Sequence, residues 1–236
     1  MCRHLAWVGR PRSLSSLVLE PGHGLLTQSY APRRQRYGRV NADGWGIGFY
    51  APGRAEPARW RSARPLWGEV SFASVAPVIS SSCVIAAVRC ATVGMPMEET
   101  AAAPFVAGKW LVSHNGRVRV DAVPFITSAE STCDSALLSA YLAQVGVERM
   151  AEVVVEIAAR DPDARLNLLA VDGAQAIATT WGDTLSVLQD RDGVVLASEP
   201  YDDDPRWVDL PDKTFVRVTP DGITCTAITP DDLEST

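Results

Sequence analysis

Four two-residue turn signals, Asp172-Gly173, Gly182-Asp183, Asp192-Gly193 and Asp221-Gly222, divide residues 166–228 into short apolar runs. Tight hairpins need positive φ at their central positions, which Gly and Asp supply, so this stretch is expected to fold as an antiparallel meander. Upstream, the apolar runs at 5–8, 84–88 and 110–113 have the length of buried strands. Residues 13–19 have helical spacing that ends at Pro21-Gly22, and residues 66–79 are near-helical in spacing. Thr132 or Asp134 is expected to cap a helix over Ala136 to Leu142, and a second helix runs from Val147 to Arg160, closed by Asp161-Pro162. The segment from Asn41 to Tyr50 sets Gly44, Gly46 and Gly48 beside aromatic and apolar residues. It reads as a loop entering a strand, with glycines that permit close backbone approach to a ligand or a neighbouring strand.

With 236 residues, 47% of them hydrophobic, the chain can bury one substantial core, and a single domain over 1–236 is expected. The formal net charge of −6 argues against a nucleic-acid partner, since neutralising phosphates takes clustered Lys and Arg. A cationic small molecule is the easier partner. The five cysteines include no C-x-x-C pair, which fits reduced thiols in a cytosol and neither a disulfide framework nor a zinc site. No metal or cofactor is expected. There is neither a signal-peptide pattern nor an apolar run of about 18 residues, so a soluble cytoplasmic protein is expected, with no membrane partner.

The chemistry starts at Met1-Cys2-Arg3-His4. Removal of Met1 would leave Cys2 with a thiol of reference pKa about 8.5 and a free α-amine of about 7.7–8, a nucleophile and a base on one residue. Arg89 follows the apolar residues 84–88, and a cation delivered that way needs an anion, so residues 89–92, Thr92 included, are a carboxylate-site candidate. An internal Asp or Glu partner is the alternative. His114-Asn115-Gly116 ends the strand at 110–113 as a turn that can aim a side-chain amide and a backbone N–H the same way, as an oxyanion hole does. An ordinary hairpin uses Asn-Gly equally well. The Arg-dense stretch from Gln28 to Arg36 resembles a local basic patch or, more simply, a solvated loop.

The order of these motifs, Cys2, Asn41-Ala42-Asp43-Gly44-Trp45-Gly46, Arg89-x-Ala91-Thr92, His114-Asn115-Gly116 and Thr132-x-Asp134, resembles the class II glutamine amidotransferase branch of the N-terminal-nucleophile hydrolases. The resemblance covers residues 2–140. It implies an α+β fold, a four-layer αββα sandwich of two antiparallel sheets. It also implies Cys2 as nucleophile once Met1 is removed, with the Asn115 amide and the Gly116 N–H on the oxyanion. Arg89 would take the α-carboxylate of a γ-glutamyl group and Asp134 its α-ammonium, with Thr92 and His114 beside them. No cofactor is implied. Many ammonia-producing members carry Asn-x-His-Pro where this chain has Ala101-Ala102-Ala103-Pro104-Phe105. The smaller residues leave room by the leaving group and favour a freestanding γ-glutamyl amidase over an ammonia donor. The segments 28–33, 102–105 and 197–205 resemble a branch whose substrate carries a trimethylammonium group. Tyr201, Trp207 and the Asp202, Asp203, Asp204 cluster are candidates for that cationic end, although the three aspartates also read as an exposed loop. Two other readings follow from the same residues: a glutaminase serving a separate synthase, and a catalytically silent γ-glutamyl-binding protein that keeps Met1.

Overall fold

The apolar run after Cys2 is the middle of a long strand that is buried on both faces. A computed structural model describes residues 2–229. In chain order the elements are β1 (Arg3–Ser13), α1 (Leu14–Val18), α2 (Leu25–Tyr30), β2 (Trp45–Phe49), β3 (Ala58–Ser62), α3 (Val70–Val75), β4 (Ser80–Val88), β5 (Phe105–Ala107) and β6 (Trp110–Arg117). They continue with α4 (Asp134–Val145), α5 (Met150–Arg160), β7 (Arg165–Val171), β8 (Ala176–Thr180), β9 (Ser186–Gln189) and β10 (Gly193–Ala197). Last come β11 (Val208–Asp209), β12 (Thr214–Thr219) and β13 (Gly222–Ala227). One sheet has the order β11-β9-β10-β1-β4-β2-β3, the other β13-β12-β8-β7-β6-β5, and the paired strands are antiparallel.

Side chains alternate across a strand, and β1 shows what each face meets. Leu5 and Trp7 point outward into a cluster with Leu14, Leu17, Leu25 and Phe72 from the three short helices. Ala6 and Val8 point inward, where they meet Leu169, Val171, Ala178 and Val216 of the second sheet. Such a strand has no polar face, so its sequence is a continuous apolar run rather than an alternation. On the far side of the second sheet, Leu138, Leu142, Val154 and Ile157 of α4 and α5 cover Val112, Leu166 and Leu168. The result is the expected four-layer αββα sandwich of two antiparallel sheets.

Three local expectations are corrected. Residues 66–79 form no continuous helix, because a 3₁₀ turn at Leu66–Gly68 is followed only by the short α3. Residues 28–30 lie in α2, outside any loop. The meander over 166–228 is divided between the sheets: Gly182-Asp183 links β8 of one sheet to β9 of the other, while Asp192-Gly193 and Asp221-Gly222 do close hairpins. A turn dipeptide marks where a chain reverses and carries no information about which layer it enters next. Asn167 holds this crossing in place by donating from Nδ2 to the carbonyls of Asp183 and Thr184 at 3.0 and 3.1 Å.

No helix among the described residues is long and apolar enough to cross a membrane. Phe72, fully buried, packs its ring 4.5 Å from Trp45 and 5.5 Å from Trp60, centroid to centroid. Phe72→Ala should therefore cost about 3–5 kcal/mol, the usual loss for an aromatic ring removed from a close-packed core. Urea unfolding checks this, and a loss below about 1 kcal/mol would mean that α3 does not brace the sheet.

Candidate active site

The β1–β4 ladder pairs Arg3 with Val88, so Cys2 at the start of one strand meets Arg89 at the end of the other. Together with Ala101, Ala103, His114 and Ser135 they line a narrow pocket of about 20 Å³. Cys2 is half-buried. Burial pushes its thiol above the ordinary value, against the opposing pull of the Cys90 N–H and the Arg89 guanidinium. A thiol in that state needs a base to become a nucleophile.

Arg89 is buried, and its guanidinium donates from Nη1 to the backbone carbonyl of Asp43 at 3.3 Å. Among the described residues no carboxylate lies within ion-pair distance of it. A buried cation without a counter-ion is costly, and an incoming carboxylate relieves that cost. The loop from Asn41 to Gly44 is built around this residue. Asp43 N–H donates to the Arg89 carbonyl at 2.9 Å, Arg89 N–H to that of Gly44 at 2.8 Å, and the Asp43 carboxylate receives Ala91 N–H at 2.8 Å. Gly46 is required for close approach, since a Cβ there would run into the carbonyl oxygen of Ala103. Arg59 and Arg61, both on Glu130 at 2.7 and 2.9 Å, hold the carbonyls of Pro104 and Ala102 at 3.1 and 3.2 Å. That fixes the alanine segment as one wall of the pocket.

His114, Asn115 and Gly116 form no turn, contrary to expectation: β6 continues through them, with Asn115 opposite Asn167 and Gly116 opposite Leu166. Gly116 is needed inside the strand because a Cβ would strike the Arg165 carbonyl and the His114 ring. His114 faces α4. Its Nε2 lies 2.8 Å from the carbonyl oxygen of Arg165, an acceptor only, so Nε2 carries the proton and Nδ1 accepts from the Ser135 hydroxyl at 3.0 Å. Burial lowers the affinity of this imidazole for a second proton, an effect that the nearby Asp134 opposes. Asp134 is the first residue of α4. The cap position belongs to Cys133, which makes no side-chain cap bond, so neither Thr132 nor Asp134 is the cap. The Asp134 carboxylate accepts Val118 N–H at 3.1 Å and Ser135 N–H at 2.8 Å, tying the start of α4 to the end of β6.

Asn115 faces the opposite way, toward the first sheet. Its Nδ2 donates to Asp183 Oδ2 at 3.4 Å and to Ser198 Oγ at 3.3 Å, while Oδ1 has no partner among the described residues. Asp183 in turn receives Arg3 Nη2 at 3.5 Å, with both side chains fully buried. Beside them His4 contacts Ser113 Oγ at 3.1 Å through Nδ1 and donates its backbone N–H to Ser198 Oγ at 3.0 Å. The sequence alone assigns no site role to Arg3, His4, Asp183, Ser198 or Ser135. For Arg3 and His4 the available signal was two polar side chains at the head of a strand otherwise apolar through Val8.

Thr92 is exposed and lies outside the pocket lining, with its carbonyl accepting Met95 N–H at 3.0 Å in a turn. Tyr201 and Trp207 pack edge to face at 5.1 Å within the helix-side core, with the Tyr201 hydroxyl 3.4 Å from Arg12. Asp203 is exposed and pairs with Arg33 at 3.1 Å. Asp202 accepts the Trp207 indole N–H at 2.7 Å, and Asp204 pairs with Arg206 at 2.6 Å. Trp207, the three aspartates and Glu199 border a hollow of about 330 Å³, separate from the Cys2 pocket.

Two facing antiparallel sheets between helical layers, with a cysteine at the head of the central strand, define a fold of the N-terminal-nucleophile amidotransferase type. The family model for class II glutamine amidotransferases matches residues 24–132. The chain belongs to this family: it is 57% identical over 97% of both chains to a γ-glutamyl-hercynylcysteine sulfoxide hydrolase of Mycobacterium tuberculosis. It is 58% identical to the enzyme of that name from Mycolicibacterium smegmatis, over 92% of this chain and 96% of that one. Among solved structures, a glutamine aminotransferase class-II domain protein from Silicibacter pomeroyi superposes with a TM-score of 0.70 at 20% identity, covering 97% of this chain and all of that one. Glutamine phosphoribosylpyrophosphate amidotransferase of B. subtilis gives a TM-score of 0.67 at 15% identity, over 97% of this chain and 49% of its own.

Burial, aided by the charge of Arg3, lowers the pKa of His4 to about 3. The unfolded chain takes up that proton near pH 6.5 and the folded protein does not, so this contribution to stability is whole above pH 6.5 and is lost progressively as pH falls toward 3. His4→Asn should flatten the acid side of the stability profile. Urea midpoints at about pH 7 and about pH 5 test this, and equal losses in wild type and variant would show that His4 is not held neutral.

Proposed function

We propose that this protein cleaves the γ-glutamyl amide of γ-glutamyl-hercynylcysteine sulfoxide, releasing glutamate, in the cytoplasmic synthesis of ergothioneine. Near-full-length identity to two hydrolases of that name supports the substrate. The observation that carries the glutamyl part is Arg89, a buried cation with no carboxylate partner among the described residues, lining the same pocket as Cys2. A γ-glutamyl head brings the α-carboxylate that Arg89 lacks, and the anchored carboxylate of Asp134 is there for its α-ammonium. His114 and Ser135 line the same pocket as Arg89, and Ser135 adjoins Asp134 in the chain.

Removal of Met1 frees the α-amine of Cys2. The amine takes the thiol proton, the thiolate adds to the scissile carbonyl, and the oxyanion is held by the Asn115 amide and the Gly116 N–H. The ammonium then passes its proton to the departing nitrogen as the C–N bond breaks and a glutamyl thioester forms. Water, deprotonated by the same amine, cleaves the thioester and restores the thiol. Asn115 can supply its amide because its present bonds to Asp183 and Ser198 are long, at 3.4 and 3.3 Å, and are readily exchanged. The trimethylammonium end of the leaving group is assigned to the hollow beside Trp207 and Asp203, with Tyr201 bracing the indole from behind.

Cys2→Ala should abolish turnover and leave calorimetric binding of the substrate largely intact; residual turnover would remove Cys2 from the mechanism. Asn115→Ala should lower kcat by about 10²–10³ with little change in KM, since an oxyanion donor acts on charge present only in the transition state. A change confined to KM would reassign Asn115 to ground-state binding. Free glutamine is the control substrate: a kcat/KM equal to that of γ-glutamyl-hercynylcysteine sulfoxide would favour a glutaminase.

A further inference from the structure

Residues 31–44 join α2 to β2 without regular structure and run along one side of the Cys2 site. Gln35 Oε1 accepts from Arg3 Nε at 3.3 Å and from Asn41 Nδ2 at 3.0 Å. The Tyr37 ring lies 4.2 Å from the Arg165 guanidinium, and a Cβ on Gly38 would come within 2.8 Å of Cys90 Sγ. Arg3 and Cys90 adjoin Cys2 and Arg89 in the chain, and Arg165 bears the carbonyl bonded by His114. At its other end the segment reaches the hollow beside Trp207, where Arg33 and Arg34 form part of the wall. The loop thus spans the distance between the pocket of the nucleophile and the hollow assigned to the cationic end of the leaving group.

A polar loop of this kind stays mobile unless its backbone is tied down. The tie is Glu199. Its carboxylate, on a residue 1% exposed, accepts Arg33 N–H at 3.0 Å and Arg34 N–H at 2.6 Å, and His23 Nε2 lies 2.8 Å from it. Two consecutive backbone donors and an imidazole offset the burial of a charge that would otherwise be strongly disfavoured. The preceding residue, Ser198, holds the His4 N–H and the Asn115 amide. One dipeptide therefore secures the loop on one side and the groups behind the nucleophile on the other.

The loop is rich in arginine. Arg33 pairs with Asp203 and Arg34 with Asp209, whereas Arg36 and Arg39 are exposed and make no ion pair among the described residues. An amino-acid leaving group differs from ammonia in bearing a carboxylate beside the departing nitrogen. We infer that Glu199 is a positioning residue that holds residues 33–39 across the mouth of the Cys2 pocket, so that Arg36 and Arg39 receive the carboxylate of an amino-acid leaving group. This rests on the γ-glutamyl amidase reading and adds to it the reason that an amino acid is chosen over ammonia.

The test uses two substrates, a γ-glutamyl amino acid and the same compound with the leaving group's carboxylate converted to a carboxamide. Wild type should cleave the free acid about tenfold faster or more in kcat/KM, the worth of a charge-assisted contact. Glu199→Ala, and separately the double variant Arg36→Gln with Arg39→Gln, should bring the ratio near one, and the arginine variant should do so by slowing the free acid alone, with carboxamide cleavage within about twofold of wild type. Glu199→Gln keeps one carbonyl acceptor for the loop and should give an intermediate ratio, and it carries the test together with the arginine variant if Glu199→Ala fails to fold. A wild-type ratio near one, or variants that slow both substrates in proportion, would overturn the inference while leaving the amidase reading in place. Absence of any γ-glutamyl hydrolysis by wild type would remove both.

Discussion

The antiparallel pairing of β1 with β4 is the contact on which the site depends. β1 stands at the centre of its sheet between β4 and β10, and both of its faces are buried. Its register is therefore fixed twice, by the ladder and by the packing of alternate side chains into two different cores, because a slip of one residue would exchange them. With Arg3 opposite Val88, the residue before the strand and the residue after its partner are brought together without any further device. The proposed chemistry sits at the strand ends, where the ladder stops and backbone and side chains are released from pairing.

The surroundings of Cys2 combine two kinds of polar burial. The Arg89 guanidinium is held by one backbone carbonyl, that of Asp43, which orients it and leaves its charge unneutralised, a state suited to receiving an anion. Behind Cys2, Arg3 and Asp183 form a fully buried ion pair, and His4 is kept neutral by burial. The first arrangement faces the pocket, and the second joins β1, β6 and the β8–β9 crossing into one rigid floor. The distinction is between charge poised for a ligand and charge spent on structure.

Much of this was legible in the sequence because the relevant residues stand at the ends of strongly apolar runs. Arg89 closes residues 84–88, and Cys2 precedes residues 5–8. What was not legible depends on tertiary contact. An Arg after an apolar run does not disclose whether a carboxylate waits for it, and only the fold shows that Arg89 meets the carbonyl of Asp43 instead. Asn115-Gly116 has the composition of a hairpin turn and lies within a strand, since the Gly serves close approach to Arg165 rather than positive φ. Gly182-Asp183 marks a reversal but not the change of sheet that follows it. Glu199, one acid among several near 202–204, stands out only once its burial and its two backbone donors are seen.

The central claim is that Cys2, as the mature N-terminus, carries the glutamyl group. Intact-mass measurement of the enzyme, acid-quenched during turnover of a γ-glutamyl substrate, tests it most directly. The expected result is a chain that begins at Cys2 and gains the mass of one glutamyl group, with the adduct mapped to the N-terminal peptide, labile to hydroxylamine and absent from Cys2→Ala. An active enzyme that retains Met1, or an adduct on any other residue, would contradict the account.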